Sequence, residues 1–121
     1  GKDSVFLSNY KTKFNKQPEN PEIVAAYDAV YILALAQLMA DNKKNSNFNQ
    51  YIRTITENGE TINANEFEKA AGIIQKGGKI KYCGAVKNIH FDNYGDLSSG
   101  TFEIWRIENN QFITLETIIV N

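Results

Sequence analysis

The sequence predicts an α/β protein whose helices come first and whose strands come last. Apolar residues recur at helical spacing as far as Ile74. Gly77-Gly78 then interrupts the helical pattern, and the chain beyond Lys79 is rich in β-branched and aromatic residues. A chain of 121 residues is long enough for one small domain with a single core.

The first helix is predicted over residues 4–15. Phe6, Tyr10 and Phe14 recur at a spacing of four residues, which places three aromatic rings on one side of a helix, with lysines between them. Pro18 ends this element, because a proline disfavours helical geometry in the residue before it. We therefore expect a short helix followed by a break.

The second helix is predicted over residues 21–40 and is apolar almost all round. Asn20 fits an N-cap, and Pro21 fits the first helical position, where its missing N–H is not needed. A helix that is apolar on every side must be covered on most of its sides. A transmembrane span would suit its length, but Asp28 and Gln37 interrupt the apolar run and an N-cap opens it. We therefore favour a helix that is covered by protein.

Two shorter amphipathic helices follow a polar linker. The first ends at Gly59, and the second is capped by Asn63 or Asn65 and stops at Gly77. Glu60–Asn63, between the two helices, is predicted to be extended. The apolar positions are Phe48, Tyr51, Ile52 and Ile55 in the first helix and Phe67, Ala70, Ala71 and Ile74 in the second.

The C-terminal part of the chain is predicted to form an antiparallel hairpin. Its strands are residues 101–108 and Gln111–Val120, both rich in β-branched and aromatic side chains. Asn109 and Asn110 lie between them and suit a tight turn, since asparagine tolerates positive φ.

Composition and charge exclude several functions. The formal net charge is −1 and the pI is about 5.8, so the chain lacks the basic surface that nucleic acid binding requires. One cysteine and one histidine exclude an intrachain disulfide and a Cys/His zinc cluster. We expect no metal, no cofactor and no nucleic acid partner.

No combination of side chains predicts catalysis. His90 alternates with its neighbours on a predicted strand, and no second ligand or carboxylate stands at a useful spacing from it. Cys83 fits a small core or hinge residue better than a nucleophile. Asp92 and Asp96 are not accompanied by the regularly spaced oxygen ligands and the later glutamate that a calcium-binding loop needs. We therefore expect that the protein is not an enzyme and has no catalytic residue.

Two motifs resemble one family of binding proteins. Residues 89–96 read IHFDNYGD, a short strand that ends at Phe91 and is followed by a turn in which Asp92 bonds its own backbone and Gly95 takes positive φ. Residues 26–29 read AYDA, on the long helix upstream. In this order and spacing, the two segments resemble the C-terminal part of type I periplasmic binding proteins, the leucine/isoleucine/valine-binding group.

The resemblance implies a fold and a function. Residues 1–121 would form a single structural unit, the C-terminal fragment of a two-lobed protein with a periplasmic-binding-protein type I fold. Helices of one lobe would come first, followed by the closing strands and the hairpin. The parent would bind a small molecule, such as a branched-chain or other amino acid, and pass it to an ABC permease. The resemblance also implies a periplasmic or extracytoplasmic location, although the chain carries no signal peptide.

Two other functions stay open. One is a ligand-sensing receptor ectodomain with the same fold. The other is a self-contained α+β interaction domain that oligomerises, because two short helices and a hairpin cannot by themselves cover the helix of residues 21–40. Self-association is also expected of an isolated fragment, since its strand edges and apolar helix would lack their neighbours.

Tyr27 and Asp28 are the candidate ligand-binding residues. A carboxylate within an apolar helix must be paired, hydrogen-bonded or exposed to a wet cleft, so Asp28 is interpreted either as a structural anchor or as a residue that faces a ligand. The resemblance implies that the aromatic residue at the position of Tyr27 lines the cleft. A ring and a hydroxyl suit a small zwitterion with an apolar side chain, but ordinary core packing would also explain Tyr27.

Overall fold

The computed structural model describes residues 4–87 and 89–120, so both ends of the predicted fragment lie outside the described residues. The chain divides into two compact units, Gly1–Ile89 and His90–Asn121, and each is described by itself. The prediction that the chain acts as a single structural unit stays a prediction.

The order of the elements confirms the predicted α/β class, with helices before the final strands. The first unit contains α1 (Ser4–Phe14), α2 (Pro21–Asn42), α3 (Asn49–Glu57), β1 (Glu60–Asn63), α4 (Phe67–Gln75) and β2 (Ile80–Gly84), and the second unit contains β3 (Gly100–Glu108) and β4 (Gln111–Val120).

Helix α2 begins where the sequence predicts and runs two residues further, to Asn42. The extra residues are held by side chains: the Gln37 amide donates to Asp41 at 2.8 Å, and the Asn42 amide donates to the carbonyl of Ile74 at 2.9 Å. Asn20 occupies the N-cap position with extended backbone, but its side chain makes no capping hydrogen bond.

Helix α2 buries one face and exposes another. The prediction that the rest of the chain cannot by itself cover this helix is confirmed for the described residues, because Val30 and Leu33 are 65% and 48% exposed. It is also the one helix among the described residues that is long and apolar enough to cross a membrane. Its buried residues are Val24, Asp28, Ile32, Leu35, Ala36, Met39 and Ala40.

Strands β1 and β2 form a parallel pair connected by α4. Burial alternates along β2, and Ile62 is the buried residue of β1, so one face of the pair lies in the core while residues such as Lys81 point away from it. Ile62 lies beside Tyr82 in the register, and neither is exposed. The other large residues that are fully buried in this core are Val24, Leu35, Ile55, Thr56, Ile74 and Ile80.

The cap of α4 differs from the prediction. Glu66 takes the N-cap position, and its carboxylate accepts hydrogen bonds from the backbone and the side chain of Asn63 at 2.6 and 3.2 Å. Asn65 lies at φ 68°, and its side chain is bonded to Tyr27 of α2. A contact with a distant helix has therefore replaced the local capping bond.

The second unit is a hairpin preceded by a turn. Strands β3 and β4 are joined by Asn109 and Asn110 at φ 50° and 60°, which confirms the predicted tight turn. The predicted strand that ends at Phe91 is wrong, because Phe91 makes only a single bridge, to Leu97. The predicted turn after it is confirmed: Gly95 lies at φ 91°, and the Asp92 carboxylate accepts backbone bonds within the turn, at 2.8 and 3.0 Å.

Both faces of the hairpin are exposed and carry large apolar side chains. Along β3, Ile104 points to one face, while Trp105 and Ile107 point to the other. The Trp105 ring meets Phe112 edge-on at 4.5 Å. The exposed apolar residues of β3 and β4 are Phe102, Ile104, Trp105, Ile107, Phe112, Ile113, Leu115, Ile118, Ile119 and Val120.

Candidate functional site

The candidate site lies at the carboxyl ends of the two parallel strands. These ends share one edge of a parallel sheet, which is where ligands bind in open α/β folds. Asn65 lies just beyond β1, and Ala85 and Val86 follow β2. Helix α2 contacts this edge through two consecutive side chains, Tyr27 and Asp28. The structure therefore brings both predicted site residues to the same edge, in different roles.

Tyr27 is fixed at the edge by a reciprocal pair of hydrogen bonds. Its hydroxyl donates to the side-chain oxygen of Asn65 at 3.1 Å and accepts from the backbone N–H of Asn65 at 2.9 Å. Burial raises the pKa of Tyr27 above its usual value, and the hydroxyl of Tyr31 adds to the shift. Tyr27 is therefore a neutral hydroxyl at physiological pH.

An aromatic pocket of about 370 Å³ adjoins Tyr27. The ring of Phe6 packs against Tyr27 at 4.8 Å, and Tyr10 packs against Phe6 at 5.9 Å. The amides of Asn9 and Asn65 and the ammonium group of Lys13 are among the polar groups of a mainly apolar lining, a composition typical of small-molecule sites. The lining residues are Phe6, Asn9, Tyr10, Lys13, Phe14, Ile23, Tyr27 and Asn65.

The other face of Tyr27 leads into the core. Tyr31, one turn further along α2, lies 4.6 Å from the Tyr27 ring and stacks on Tyr82 at 5.8 Å. It also meets Phe67 edge-on at 5.5 Å and lines a wider, open groove of about 640 Å³ beside the start of α4. Tyr31 thus packs on the interior and borders the wider groove, whereas Tyr27 borders the aromatic pocket.

Asp28 is almost fully buried, with 2% of its surface exposed. One carboxylate oxygen accepts from the Tyr82 hydroxyl and the Ala85 N–H, and the other accepts from the Val86 N–H, each at 2.8 Å. Asp28 is therefore hydrogen-bonded, which is one of the environments that the sequence allows for it. Burial, with the neighbouring Asp28 charge, raises the pKa of Tyr82, so Tyr82 keeps the proton that it donates.

Sequence reasoning missed three residues of this site. Phe6 and Tyr10 were assigned only to a helix face, and Asn65 only to a cap. The signal for Asn65 was present, because it follows the extended segment Glu60–Asn63 and so lies at a strand's carboxyl end. The pairing of Asn65 with Tyr27 joins residues 38 positions apart, which no local pattern reports.

The remaining reactive side chains lie elsewhere. His90 pairs with the Ser98 hydroxyl at 2.8 Å in the second unit. Cys83 is a partly buried free thiol. Among residues 4–87 and 89–120, no three His, Cys, Asp or Glu side chains lie close enough together to hold a metal ion.

Comparison with known families identifies the class. A profile described as "Receptor family ligand binding region" matches residues 3–110, which is most of the chain and ends at the turn before β4. The chain therefore belongs to this family, which has the type I periplasmic-binding-protein fold and includes the ligand-binding domains of solute-binding proteins and of receptor ectodomains. Its members bind small molecules and are typically extracytoplasmic or periplasmic. No curated protein and no solved structure matches the chain.

The match confirms the resemblance seen in the sequence at the level of the family and the fold. The narrower assignment to the leucine/isoleucine/valine-binding group stays a prediction.

Proposed function

We propose that residues 1–121 are the C-terminal part of a two-lobed solute-binding protein of an ABC uptake transporter. The parent captures an amino acid or a related small molecule between its lobes and delivers it to a membrane permease. Binding involves no covalent chemistry. The ligand contacts both lobes when the hinge is closed. It therefore binds the closed state more tightly than the open state and shifts the equilibrium towards closure.

The observation that carries the proposal is the aromatic pocket beside Tyr27. It lies at the carboxyl edge of a parallel strand pair, next to a hydroxyl that Asn65 holds in place. We assign Tyr27 to direct contact with the ligand. Asp28 supports the same wall from behind, through the backbone of Ala85 and Val86.

The uncovered surfaces of the first unit support the fragment assignment. Parallel sheets are almost always covered on both faces, yet on the face of β2 that carries Lys81 and Cys83 the first is exposed and the second only partly buried. The outer side of α2, with Val30 and Leu33, is apolar and exposed as well. Further helices and strands of a complete lobe would cover both surfaces.

A receptor ectodomain is the second candidate, because the family includes such domains. The wall around Tyr27 would serve a sensor equally well. The gene that encodes the parent separates the two: a transmembrane segment joined to a signalling domain supports a receptor, and a neighbouring permease gene supports transport.

The isolated chain should bind no amino acid tightly. Only one wall of the cleft is present, and small-molecule sites bury most of their ligand's surface. Calorimetry with leucine, isoleucine and valine is expected to give no measurable heat of binding with the 121-residue chain. Micromolar binding by this chain alone would contradict the fragment assignment.

In the full-length parent, Tyr27→Ala should weaken ligand binding more than Tyr31→Ala does. Loss of a cleft aromatic ring with its hydroxyl costs on the order of 1–3 kcal/mol, or roughly 5- to 150-fold in Kd. Tyr31 packs on Tyr82 and Phe67, so its removal should mainly lower the melting temperature. Calorimetric Kd values and melting curves for both variants test this.

Tyr27→Phe refines the comparison, since it keeps the ring and removes only the partner of Asn65. Its Kd should fall between those of the wild type and Tyr27→Ala. Equal losses of affinity for Tyr27→Ala and Tyr31→Ala, in proportion to lost thermal stability, would mean that this part of α2 is only core.

A further inference from the structure

We propose that the turn after β2 is a carboxylate-binding loop that the chain fills with its own Asp28. Its donors are the backbone N–H groups of Ala85 and Val86 and the hydroxyl of Tyr82. The site takes a small carboxylate, and it admits one from solution when the Asp28 side chain is removed. This inference does not rest on the proposed transport function.

The donors are arranged as an anion requires. Two consecutive N–H groups point at the two oxygens of one carboxylate, and a phenolic hydroxyl completes the set, each at 2.8 Å. Consecutive backbone N–H groups that converge in this way form a concavity with positive partial charge, of the kind that binds anions. All three donors are neutral groups.

The backbone of the turn is shaped around the carboxylate. Gly84 lies at φ 66°, a region that disfavours side chains, and a Cβ at this position would lie 2.5 Å from an oxygen of Asp28. Lys87, on the other side of the two donors, also has a positive φ, of 63°. Gly84 therefore lets the end of β2 approach the carboxylate closely. Gly84 and Lys87, both with φ in the left-handed region, lie on either side of the two N–H donors.

Burial makes an empty loop costly. Asp28 is 2% exposed, and Ala85 and Tyr82 are fully buried, so removal of the carboxylate leaves the Ala85 N–H and the Tyr82 hydroxyl without an acceptor, while the Val86 N–H is only partly buried. Asp28→Ala removes only the carboxyl group, which leaves a space the size of formate between the same donors. If Asp28 only filled volume, the same substitution would leave a space of the same size, but that space would have no affinity for an anion.

The test is rescue of Asp28→Ala by formate in the full 121-residue chain. The substitution is expected to lower Tm by roughly 10 °C or more. Formate, added at constant ionic strength against sodium chloride, should raise Tm by roughly 4–8 °C at ten times its dissociation constant, and the rise should continue with the logarithm of the formate concentration. The amide NMR signals of Ala85 and Val86 should shift saturably and give the same dissociation constant.

Two matched variants on α2 serve as controls. Val24→Ala opens a buried apolar cavity, and Asp41→Ala removes an exposed carboxylate bonded only to Gln37. Neither should respond to formate more than the wild type does. If Asp28→Ala is unfolded, formate-dependent recovery of its helical circular dichroism is the readout. Absence of recovery, or an equal effect of formate on Val24→Ala, would overturn the proposal.

Discussion

Replacement of Gly59 by alanine is expected to destabilise the first unit more than replacement of Gly72 or Gly77 does. Gly59 has φ 147°, and a Cβ there would lie 2.3 Å from the backbone carbonyl carbon of Lys79 and 2.4 Å from the backbone nitrogen of Ile80. Lys79 directly precedes β2 and Ile80 begins it, and the N–H of Glu60 donates to the carbonyl of Lys79 at 3.0 Å. The methyl group would separate β1 from β2 at the start of their register.

The expected loss is about 4 kcal/mol or more, because a strained φ adds to a clash that only backbone movement relieves. Domains of this size are stable by about 5–15 kcal/mol, so Gly59→Ala should be largely unfolded in mild urea. Urea unfolding followed by circular dichroism measures the free-energy change.

Two other glycines provide controls. Gly72, within α4, has open space where a Cβ would lie, so Gly72→Ala should stabilise the chain by roughly 0.5–1 kcal/mol. Gly77 also has open space but lies at φ 79°, so Gly77→Ala isolates conformational strain and should cost about 1 kcal/mol. A Gly59→Ala variant no less stable than Gly77→Ala would mean that the close approach to Lys79 is not needed for folding.

The isolated chain is expected to self-associate through the hairpin, as we propose for a fragment without its neighbours. Ile107 and Ile119 lie on the same face as Trp105 and are 62% and 67% exposed. The double substitution Ile107→Lys with Ile119→Lys places two like charges in that apolar surface. It should raise the dissociation constant of the self-associated species at least tenfold, or about 1.4 kcal/mol, measured by sedimentation.

The matched control adds the same charge to the same face without removing apolar surface. Thr114 and Thr117 of β4 lie opposite Trp105 and Glu103, and both are exposed. Thr114→Lys with Thr117→Lys should have a clearly smaller effect. A wild-type chain that sediments as a monomer and melts cooperatively would instead support the self-contained domain.

Local patterns predicted most of the elements. The aromatic spacing of α1, the start of α2 at Pro21 and the hairpin turn at Asn109 and Asn110 follow from residues near in sequence. The error in the cap of α4 arose where a distant partner decided the outcome. Asn63 or Asn65 was expected to cap α4, but Asn65 bonds Tyr27 instead, and this tertiary contact overrides the capping preference.

The site could be predicted only in part for the same reason. The AYDA motif pointed to Tyr27 and Asp28, but neighbours on a helix are turned about 100° from one another and do not share surroundings. Asp28 is buried against Ala85 and Val86, which are 57 and 58 residues away in sequence. Tyr27 borders the pocket formed with α1. The spacing of residues along the chain does not predict contacts between residues so far apart in sequence.

The reciprocal hydrogen bonds between Tyr27 and Asn65 determine whether the Tyr27 hydroxyl offers a ligand in the pocket a donor or an acceptor. A phenol has one proton to give and two lone pairs. Tyr27 gives its proton to the Asn65 side chain and fills one lone pair with the Asn65 N–H. Its proton is committed to Asn65, so a ligand that reaches this hydroxyl, beside the hydroxyl of Tyr31, meets an acceptor. An ammonium or amide N–H suits that position, whereas a ligand carboxylate there would first have to displace the Asn65 side chain.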